Sequence, residues 1–408
     1  MKKLFVIPVI IIMLLSALIL GSCGEETTTT SATPLPPIKI GHIIDLTGPE
    51  AVLGQIMETS LQLAFDDIGN QIAGHPVEII VGDAQGQPSV AVDIARKMVE
   101  QDGVVAIFGP TQIGEKFAVA GYIAQAGIPM LLYSPTPLNL FQGDTANKWV
   151  IGALGSTAMQ PTCMGDYLYN HMGYRTINTL TQDNSAGHAF LDPLMEVFEA
   201  NGGQVVQSQW VPVPCPDFAP YLTTLEDADA FVAWDTGADA IALHTQYYQL
   251  GIGEIMPFVG AFHGACLDPF IVMALPADVA ASVVGDITVM TYAPDSQDPV
   301  NQAFVESFTA EMGFPPGDDG AAGPYHSAMA FIEAVKSTNG DTTPDTLLTA
   351  ITQVNITGPQ GPILFASGST CATMSIYIIK VTQFAPDVYG YTTVYTYEDV
   401  PPAGYTGE

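Results

Sequence analysis

The chain has 408 residues, and its formal net charge is −32 because 42 Asp and Glu stand against only 10 Lys and Arg. So few cations exclude a nucleic-acid-binding protein, since neutralising phosphates requires Lys and Arg. The hydrophobic content of 48% predicts a folded body, and the length exceeds what one core usually covers, so we expect two domains. An acidic or saline habitat explains the shortage of bases as well as a function would.

The N-terminal segment predicts a secretion signal followed by a tether. Lys2 and Lys3 precede a long uncharged run, which ends in two small residues just before Cys23. This order resembles a bacterial lipobox, in which the cysteine becomes the acylated first residue of the mature chain. We therefore interpret residues 1–22 as a lipoprotein signal peptide and residues 23–37, rich in Thr and Pro, as a flexible tether. An uncleaved anchor helix and a plain signal peptide are the alternatives.

Four more cysteines follow the tether, and a secreted chain would hold them in an oxidising compartment. Their even number allows two disulfides in three connectivities, with buried free thiols as the alternative. No two of them are spaced like zinc ligands, so we expect no metal and no other cofactor. The four disulfide candidates are Cys163, Cys215, Cys266 and Cys371.

Strand and helix signals alternate along the first part of the body. Apolar residues recur every four positions from Leu53 to Phe65 and predict one buried face of a helix. Pro88 is a start signal for a second helix, and Gly127 is a stop signal for a third. The β-branched runs between these helices lie at residues 38–40, 77–81, 104–108 and 128–132. This alternation predicts an α/β protein with a parallel sheet covered by helices on both faces.

The same alternation resumes after Trp149 and predicts a second α/β unit. Helices are expected at residues 157–171, 189–200, 238–250, 299–312, 321–336 and 344–351. Strands are expected at residues 176–181, 204–209, 230–233, 257–260, 283–289, 375–384 and 391–397.

Several short motifs occur in a fixed order along this body. They are IKIG at 38–41, LTGP at 46–49, GD at 82–83, GP at 109–110, AGIP at 126–129 and SP at 134–135. Their order and spacing resemble the branched-chain amino-acid type of ABC transporter substrate-binding lipoprotein, the Leu/Ile/Val-binding family. The resemblance implies a type I periplasmic-binding fold, in which two Rossmann-like lobes with parallel central sheets are joined by three hinge crossovers. The N-terminal lobe would comprise residues 38–156 and 294–355, and the C-terminal lobe residues 157–293 and 356–408.

The resemblance also implies a function. The chain would be an extracytoplasmic solute-binding lipoprotein of an ABC importer, anchored to the outer face of the cell membrane through Cys23. It would capture a small organic solute, such as an amino acid or an amide, between two closing lobes and pass it to the permease subunits. A ligand-sensing protein on the same fold is the alternative. An enzyme is a remote third possibility, because the sequence contains no G-x-S-x-G, H-E-x-x-H or P-loop motif.

The candidate ligand-binding residues lie in loops that follow the strands, where α/β sheets bind their ligands. The resemblance places carboxylate-holding positions near Ile113, Ser134 and Thr136. It places the acidic partner of a ligand ammonium near Phe262, which is not acidic, and Asp235 is a possible substitute. The full set is Leu53, Gln112, Ile113, Ser134, Pro135, Thr136, Ala186, Trp234, Asp235, Thr236, Phe262 and His263.

Several of these residues also have a structural interpretation. Asp235 is equally placed to cap the helix that follows it. Trp234 could be a core residue, and His263 could be an ordinary loop histidine.

Overall fold

The computed structural model describes residues 35–48, 50–262, 267, 269–386 and 388–404. The predicted signal peptide with Cys23 therefore lies outside the described residues, as do His263 and Cys266. Within the described part of the chain, no helix is both long and apolar enough to cross a membrane.

Helices and strands alternate as the sequence predicts. The first group of elements is β1 (Ile38–Ile44), α1 (Ala51–Asp66), β2 (Gln71–Ile72), β3 (His75–Asp83), α2 (Pro88–Lys97), β4 (Ala106–Phe108), α3 (Ile113–Ala126), β5 (Met130–Leu132) and β6 (Val150–Gly152). The second group is α4 (Met159–Asp166), β7 (Thr176–Gln182), α5 (Ser185–Ala200), β8 (Gln204–Val211), α6 (Ala219–Leu222), β9 (Ala230–Trp234), α7 (Gly237–Gln249), β10 (Phe258–Gly260), α8 (Pro269–Ala274), α9 (Ala277–Ser282) and β11 (Ile287–Met290). The last group is α10 (Pro299–Met312), α11 (Asp319–Ser337), α12 (Pro344–Thr352), β12 (Asn355–Gly358), β13 (Gly361–Phe365), β14 (Ala372–Ala385) and β15 (Val388–Val400).

The first sheet has the strand order β2-β3-β1-β4-β5-β6. Its strands run parallel, except that β2 and β3 form a short antiparallel pair. Met57, Leu61 and Phe65 of α1 are buried, which confirms the helix face predicted from their spacing. Phe65 packs edge-on against Phe108 of β4, with ring centroids 6.3 Å apart.

The second sheet is mixed rather than wholly parallel. Strands β8, β7, β9, β10 and β11 run parallel, whereas β12, β13, β14 and β15 pair antiparallel beyond β11. The reason is connection length: only Pro359 and Gln360 separate β12 from β13, and parallel strands need a much longer crossover. The expectation of parallel central sheets therefore holds for the α/β part of this unit and not for its C-terminal strands.

The chain passes between the surroundings of the two sheets three times. It leaves the first sheet after β6 and returns after β11. The return is shown by α11, which packs against α1 of the first group. Phe331 of α11 lies edge-on to Phe108 at 5.6 Å, so this late helix shares the core of the first sheet. The chain then crosses again from α12 to β12.

The three described cysteines are buried free thiols. Cys163 lies in α4, Cys215 follows β8, and Cys371 precedes β14, so the three lie in different elements. No disulfide joins any two of Cys163, Cys215 and Cys371, which corrects the expectation of two disulfides. Burial raises the pKa of the Cys163 and Cys371 thiols well above the ordinary range, so both stay protonated.

Candidate ligand-binding cleft

A cavity of about 390 Å³ lies where loops from both sheets meet. In the first sheet β1 lies between β3 and β4, and in the second sheet β7 lies between β8 and β9. These are the points where the strand order reverses, and open α/β sheets leave a crevice there at the carboxyl ends of the strands. The loops after β1, β4, β5, β7, β9 and β10 all contribute to the cavity wall.

The structure brings most of the sequence-predicted site residues to this cavity. Those that line it are Leu53, Gln112, Ile113, Ser134, Pro135, Ala186, Trp234, Thr236 and Phe262. Thr136 does not line it, because its side chain is buried and its hydroxyl donates to the Ser134 carbonyl at 3.0 Å. His263 lies outside the described residues.

Asp235 lies behind the cavity wall. Its side chain is fully buried, and one carboxylate oxygen accepts the Gln182 side-chain amide at 2.7 Å and the Thr236 N–H at 2.8 Å. Burial raises the pKa of Asp235 to about 6. Thr236, not Asp235, is the N-cap residue of α7. The proposal that Asp235 pairs with a ligand ammonium is therefore replaced by a positioning role, since Gln182 itself lines the cavity.

The first residues of five helices reach the cavity, which favours an anion because the N–H groups there have no partner within the helix. These helices are α1, α3, α5, α7 and α11. Asn184 caps α5, and Asp318 caps α11 by accepting the Ala321 N–H at 2.9 Å. Neither Gln112 before α3 nor Thr236 before α7 makes a side-chain cap. The N–H groups of α3 and α7 are therefore available for a ligand carboxylate.

A buried lysine that the sequence analysis overlooked belongs to the same wall. Lys116 lies in the first turn of α3 and is only 1% exposed. Its ammonium donates to the Ser134 hydroxyl at 2.7 Å, the Pro135 carbonyl at 2.8 Å and the Ser134 carbonyl at 3.4 Å. Burial lowers the pKa of Lys116 to about 7. The sequence signal that could have identified Lys116 is its place in the first turn of a helix. A cation there interacts unfavourably with the helix dipole, so another interaction must compensate for it.

Three carboxyl groups crowd the region beneath and beside this lysine. Burial and then the charge of Asp45 raise the pKa of Glu115 to about 7. Burial also raises the pKa of Asp45, although the Gly86 N–H donates to its carboxylate at 2.7 Å. The pKa of Glu50, which lines the cavity, is raised by burial and by the charge of Asp45. Mutual repulsion and desolvation therefore favour proton retention on these groups.

The second sheet contributes an aromatic wall. Phe190 stacks on Phe262 with ring centroids 3.7 Å apart, and it meets Trp234 edge-on at 4.8 Å. All three line the cavity, although Trp234 is only 6% exposed and also belongs to the core. The indole N–H of Trp234 has no acceptor among the described residues. The apolar faces of these rings suit the apolar body of a ligand.

A larger groove of about 870 Å³ lies on the surface between α11 and α12. Its walls include exposed polar residues such as Ser337 and Thr346, and no loop that follows a parallel strand reaches it. The buried lysine, the aromatic wall and the helix N-termini line the smaller cavity, which is therefore the candidate ligand site.

Two α/β units whose switch points face one cavity, linked by three connections, define the type I periplasmic-binding fold. The family model described as "Periplasmic binding protein" matches residues 37–385, and the chain belongs to this family.

Relatives of known name and structure resemble this chain over nearly its whole described length. Leu/Ile/Val-binding protein homolog 6 of Brucella melitensis is 22% identical, covering 90% of this chain and 93% of its own. An ABC transporter substrate-binding protein from Sphaerobacter thermophilus is 29% identical with a TM-score of 0.83, covering 90% of this chain and 99% of its own. An ABC transporter solute-binding protein from Rhodopseudomonas palustris, solved with 3,4-dihydroxybenzoic acid, is 24% identical with a TM-score of 0.79, covering 90% and 98%.

Proposed function

We propose that the chain captures a small organic carboxylate in the cavity between its two sheets and passes it to the permease of an ABC importer. One observation carries this proposal: the uncapped start of α3 and the Lys116–Ser134 pair lie in the same cavity as the Phe190–Phe262 stack. The helix start and the Lys116–Ser134 pair favour an anionic group, and the Phe190–Phe262 stack favours an apolar ligand body. The names of the Sphaerobacter and Rhodopseudomonas proteins support the link to ABC transport.

An aromatic acid suits this cavity better than a zwitterionic amino acid. A volume of about 390 Å³ is near the lower end for small-molecule sites. The aromatic wall of Phe190, Trp234 and Phe262 offers stacking to an aromatic ring. The residue expected to pair with a ligand ammonium, Asp235, is buried behind the wall, which leaves Glu50, Asp318 and Asp319 as the acids that line the cavity. The Rhodopseudomonas neighbour, solved with a dihydroxybenzoic acid, supports the same choice.

A branched-chain amino acid is the second candidate. It is favoured by Glu50, whose carboxyl group lines the cavity beside the start of α1 and could accept an ammonium. The Brucella relative is named for the binding of leucine, isoleucine and valine.

Calorimetry and thermal unfolding of the purified chain distinguish the candidates. We expect benzoate and 4-hydroxybenzoate to raise the melting temperature, since a ligand present at a hundred times its Kd adds about 2.7 kcal/mol of stability. We expect leucine and isoleucine to leave it unchanged. A shift with the amino acids alone, abolished by Glu50→Gln, would establish the second candidate. No shift with any of these carboxylates would refute the proposal.

The predicted lobes and lipid anchor complete the proposed mechanism. Residues 38–156 with 294–355 and residues 157–293 with 356–408 would close on the solute, because contacts from both sides favour the closed state by their differential affinity. Acylation of Cys23 would hold the protein at the membrane near its permease. Cys23→Ser should move the protein from the membrane fraction to the soluble fraction. A membrane fraction unchanged by this substitution would exclude the anchor.

A further inference from the structure

Among the described residues that line the cavity, one side chain is positively charged and three are acidic. Of the charged side chains that line it within the described residues, Glu50, Asp318 and Asp319 are acids, and Lys116 alone is a cation. Lys116 is therefore the one charged side chain among these lining residues that attracts a carboxylate, and it opposes the repulsion from the acids.

Lys116 reaches the ligand space through Ser134. Its ammonium has three N–H donors, and the structure gives it three acceptors, all in the Ser134–Pro135 loop. No donor remains for a ligand. The Ser134 oxygen accepts from the ammonium, and its own hydroxyl hydrogen has no acceptor among the described residues. Since Ser134 lines the cavity, this hydrogen can be donated to a ligand oxygen.

A purely structural role explains this arrangement poorly. Two loop carbonyls can be tied by a neutral amide, whereas burying an ammonium carries a large desolvation penalty. The position in the first turn of α3 adds an unfavourable interaction with the helix dipole. An ammonium next to Ser134 polarises its hydroxyl group and makes it a stronger hydrogen-bond donor, which a neutral amide does to a smaller extent.

We propose that Lys116 is a positioning residue for anion recognition: it fixes and polarises the Ser134 hydroxyl so that the cleft selects carboxylates over the corresponding amides. This inference rests on the proposed carboxylate-binding function and deepens it. It assigns selectivity to a buried residue rather than to a direct ligand contact.

The surrounding charges fix the expected pH dependence. The charge of Glu115, on the same helix, acts on Lys116, and the charge of Asp45 acts on Glu115 in turn. The other acids that line the same cavity are Glu50 before α1 and Asp318 and Asp319 at the start of α11. Burial brings the pKa of Lys116 down to about 7 and that of Glu115 up to about 7. Raising the pH through 7 therefore removes a positive charge and adds a negative one. Both changes weaken carboxylate binding and leave amide binding unaffected.

The test compares 4-hydroxybenzoate with 4-hydroxybenzamide by calorimetry on the full chain and on variants. Lys116→Met should weaken 4-hydroxybenzoate binding about tenfold to a hundredfold, as expected for a hydrogen bond strengthened by charge, and should leave amide binding unchanged. Lys148→Met is the matched control, because this lysine is exposed and pairs with Asp345 on the surface. The control should change neither affinity.

A double-substitution cycle shows whether Lys116 acts through Ser134. In the Ser134→Ala background, adding Lys116→Met should cause no further loss of carboxylate affinity. A full additional loss there would overturn the positioning role. So would an equal loss for acid and amide, since that pattern indicates a structural defect.

Two further readouts keep the inference testable if Lys116→Met does not fold. Ser134→Ala alone should remove the preference for acid over amide, and the unsubstituted chain should lose that preference as the pH rises through 7. A preference that persists in both cases would overturn the inference and leave the proposed function intact. Absence of carboxylate binding by the unsubstituted chain would overturn both.

Discussion

Glu115 and Lys116 are neighbours in sequence, and each is only 1% exposed. Burial raises the pKa of the first and lowers the pKa of the second, so both titrate near neutrality. Each stabilises the charged form of the other. Burying this pair beside the cleft carries a desolvation penalty, and strongly shifted pKa values of this kind are more common at functional sites.

This pair makes the pH dependence of stability predictable. The folded pKa of Glu115, about 7, is above its ordinary value of 4.5, so its protonated form is favoured by folding. The stability it contributes is fully present below pH 4.5 and is lost as the pH rises through 7. Glu115→Gln cannot ionise, so its melting temperature relative to the unsubstituted chain should increase from pH 4.5 to pH 7. Differential scanning calorimetry across this range measures the change.

The matched control for this experiment is Glu254→Gln. Glu254 is exposed in the turn after α7, so its replacement makes the same change of side chain away from the buried Glu115–Lys116 pair. Parallel curves for Glu115→Gln and the unsubstituted chain would show that Glu115 ionises normally in the folded state.

For single residues, the sequence predicts the place in the fold better than it predicts the direction in which the side chain points. Ser134, Ile113 and Trp234 line the cavity, as expected of residues at or just beyond the carboxyl end of a strand. Asp235 follows a strand in the same way, yet its side chain turns inward to Gln182. Lys116 was missed for the opposite reason, since its burial depends on contacts with a loop 18 residues further along the chain.

Helix α1 must lie close to the end of β1 for its first residues to reach the cleft. A Cβ added at Gly54 would lie 1.8 Å from the backbone oxygen of Asp45, so only glycine fits there. This contact sets the height of the helix start, and therefore the positions of Glu50 and Leu53 in the cavity wall.

Gly54→Ala should consequently displace the start of α1. We expect a loss of stability well beyond the usual effect of helix propensity, because backbone rather than a flexible side chain is in the way. Ligand affinity should fall with it, since Leu53 moves. Chemical denaturation and calorimetry measure the two effects.

Gly121→Ala in α3 is the matched control. A Cβ at Gly121 would meet nothing within 4 Å, so Ala should stabilise the protein by up to about 1 kcal/mol through helix propensity. Equal effects at the two glycines would contradict the steric argument for Gly54.

Elements were predictable in proportion to their length. The helix at residues 299–312 was predicted at its observed bounds, and α11 differed by two residues at its start. The sequence does not predict the strands β2, β6, β12 and β13 or the helices α6, α8 and α9. Each has between two and six residues, too few to show a period, and pairing with distant strands rather than local propensity stabilises the strands.

One buried hydrogen-bond network joins the three connections between the sheets, where the family fold leads us to expect a hinge. Asp319 at the start of α11 accepts Thr291 of the second connection at 2.9 Å and Gln160 of α4, beyond the first connection, at 3.2 Å. Gln360, after the third connection, donates to the Thr291 hydroxyl at 3.1 Å. Asp319 also lines the cavity, so the network links ligand space to all three connections.

Thr291→Val tests this role because it removes one hydroxyl with little change of shape. The buried groups of Asp319 and Gln360 would each lose a partner, which costs about 1–3 kcal/mol. Amide exchange should accelerate at residues 291–298 and 353–360, where the connections lie, before it does so in the strands. Exchange mass spectrometry with and without ligand measures this. Thr346→Val serves as control, because this exposed threonine of α12 also loses a hydroxyl and its hydrogen bond with Thr343 but lies outside the network. If exchange rises uniformly over both sheets, the network stabilises the fold in general and does not define a hinge.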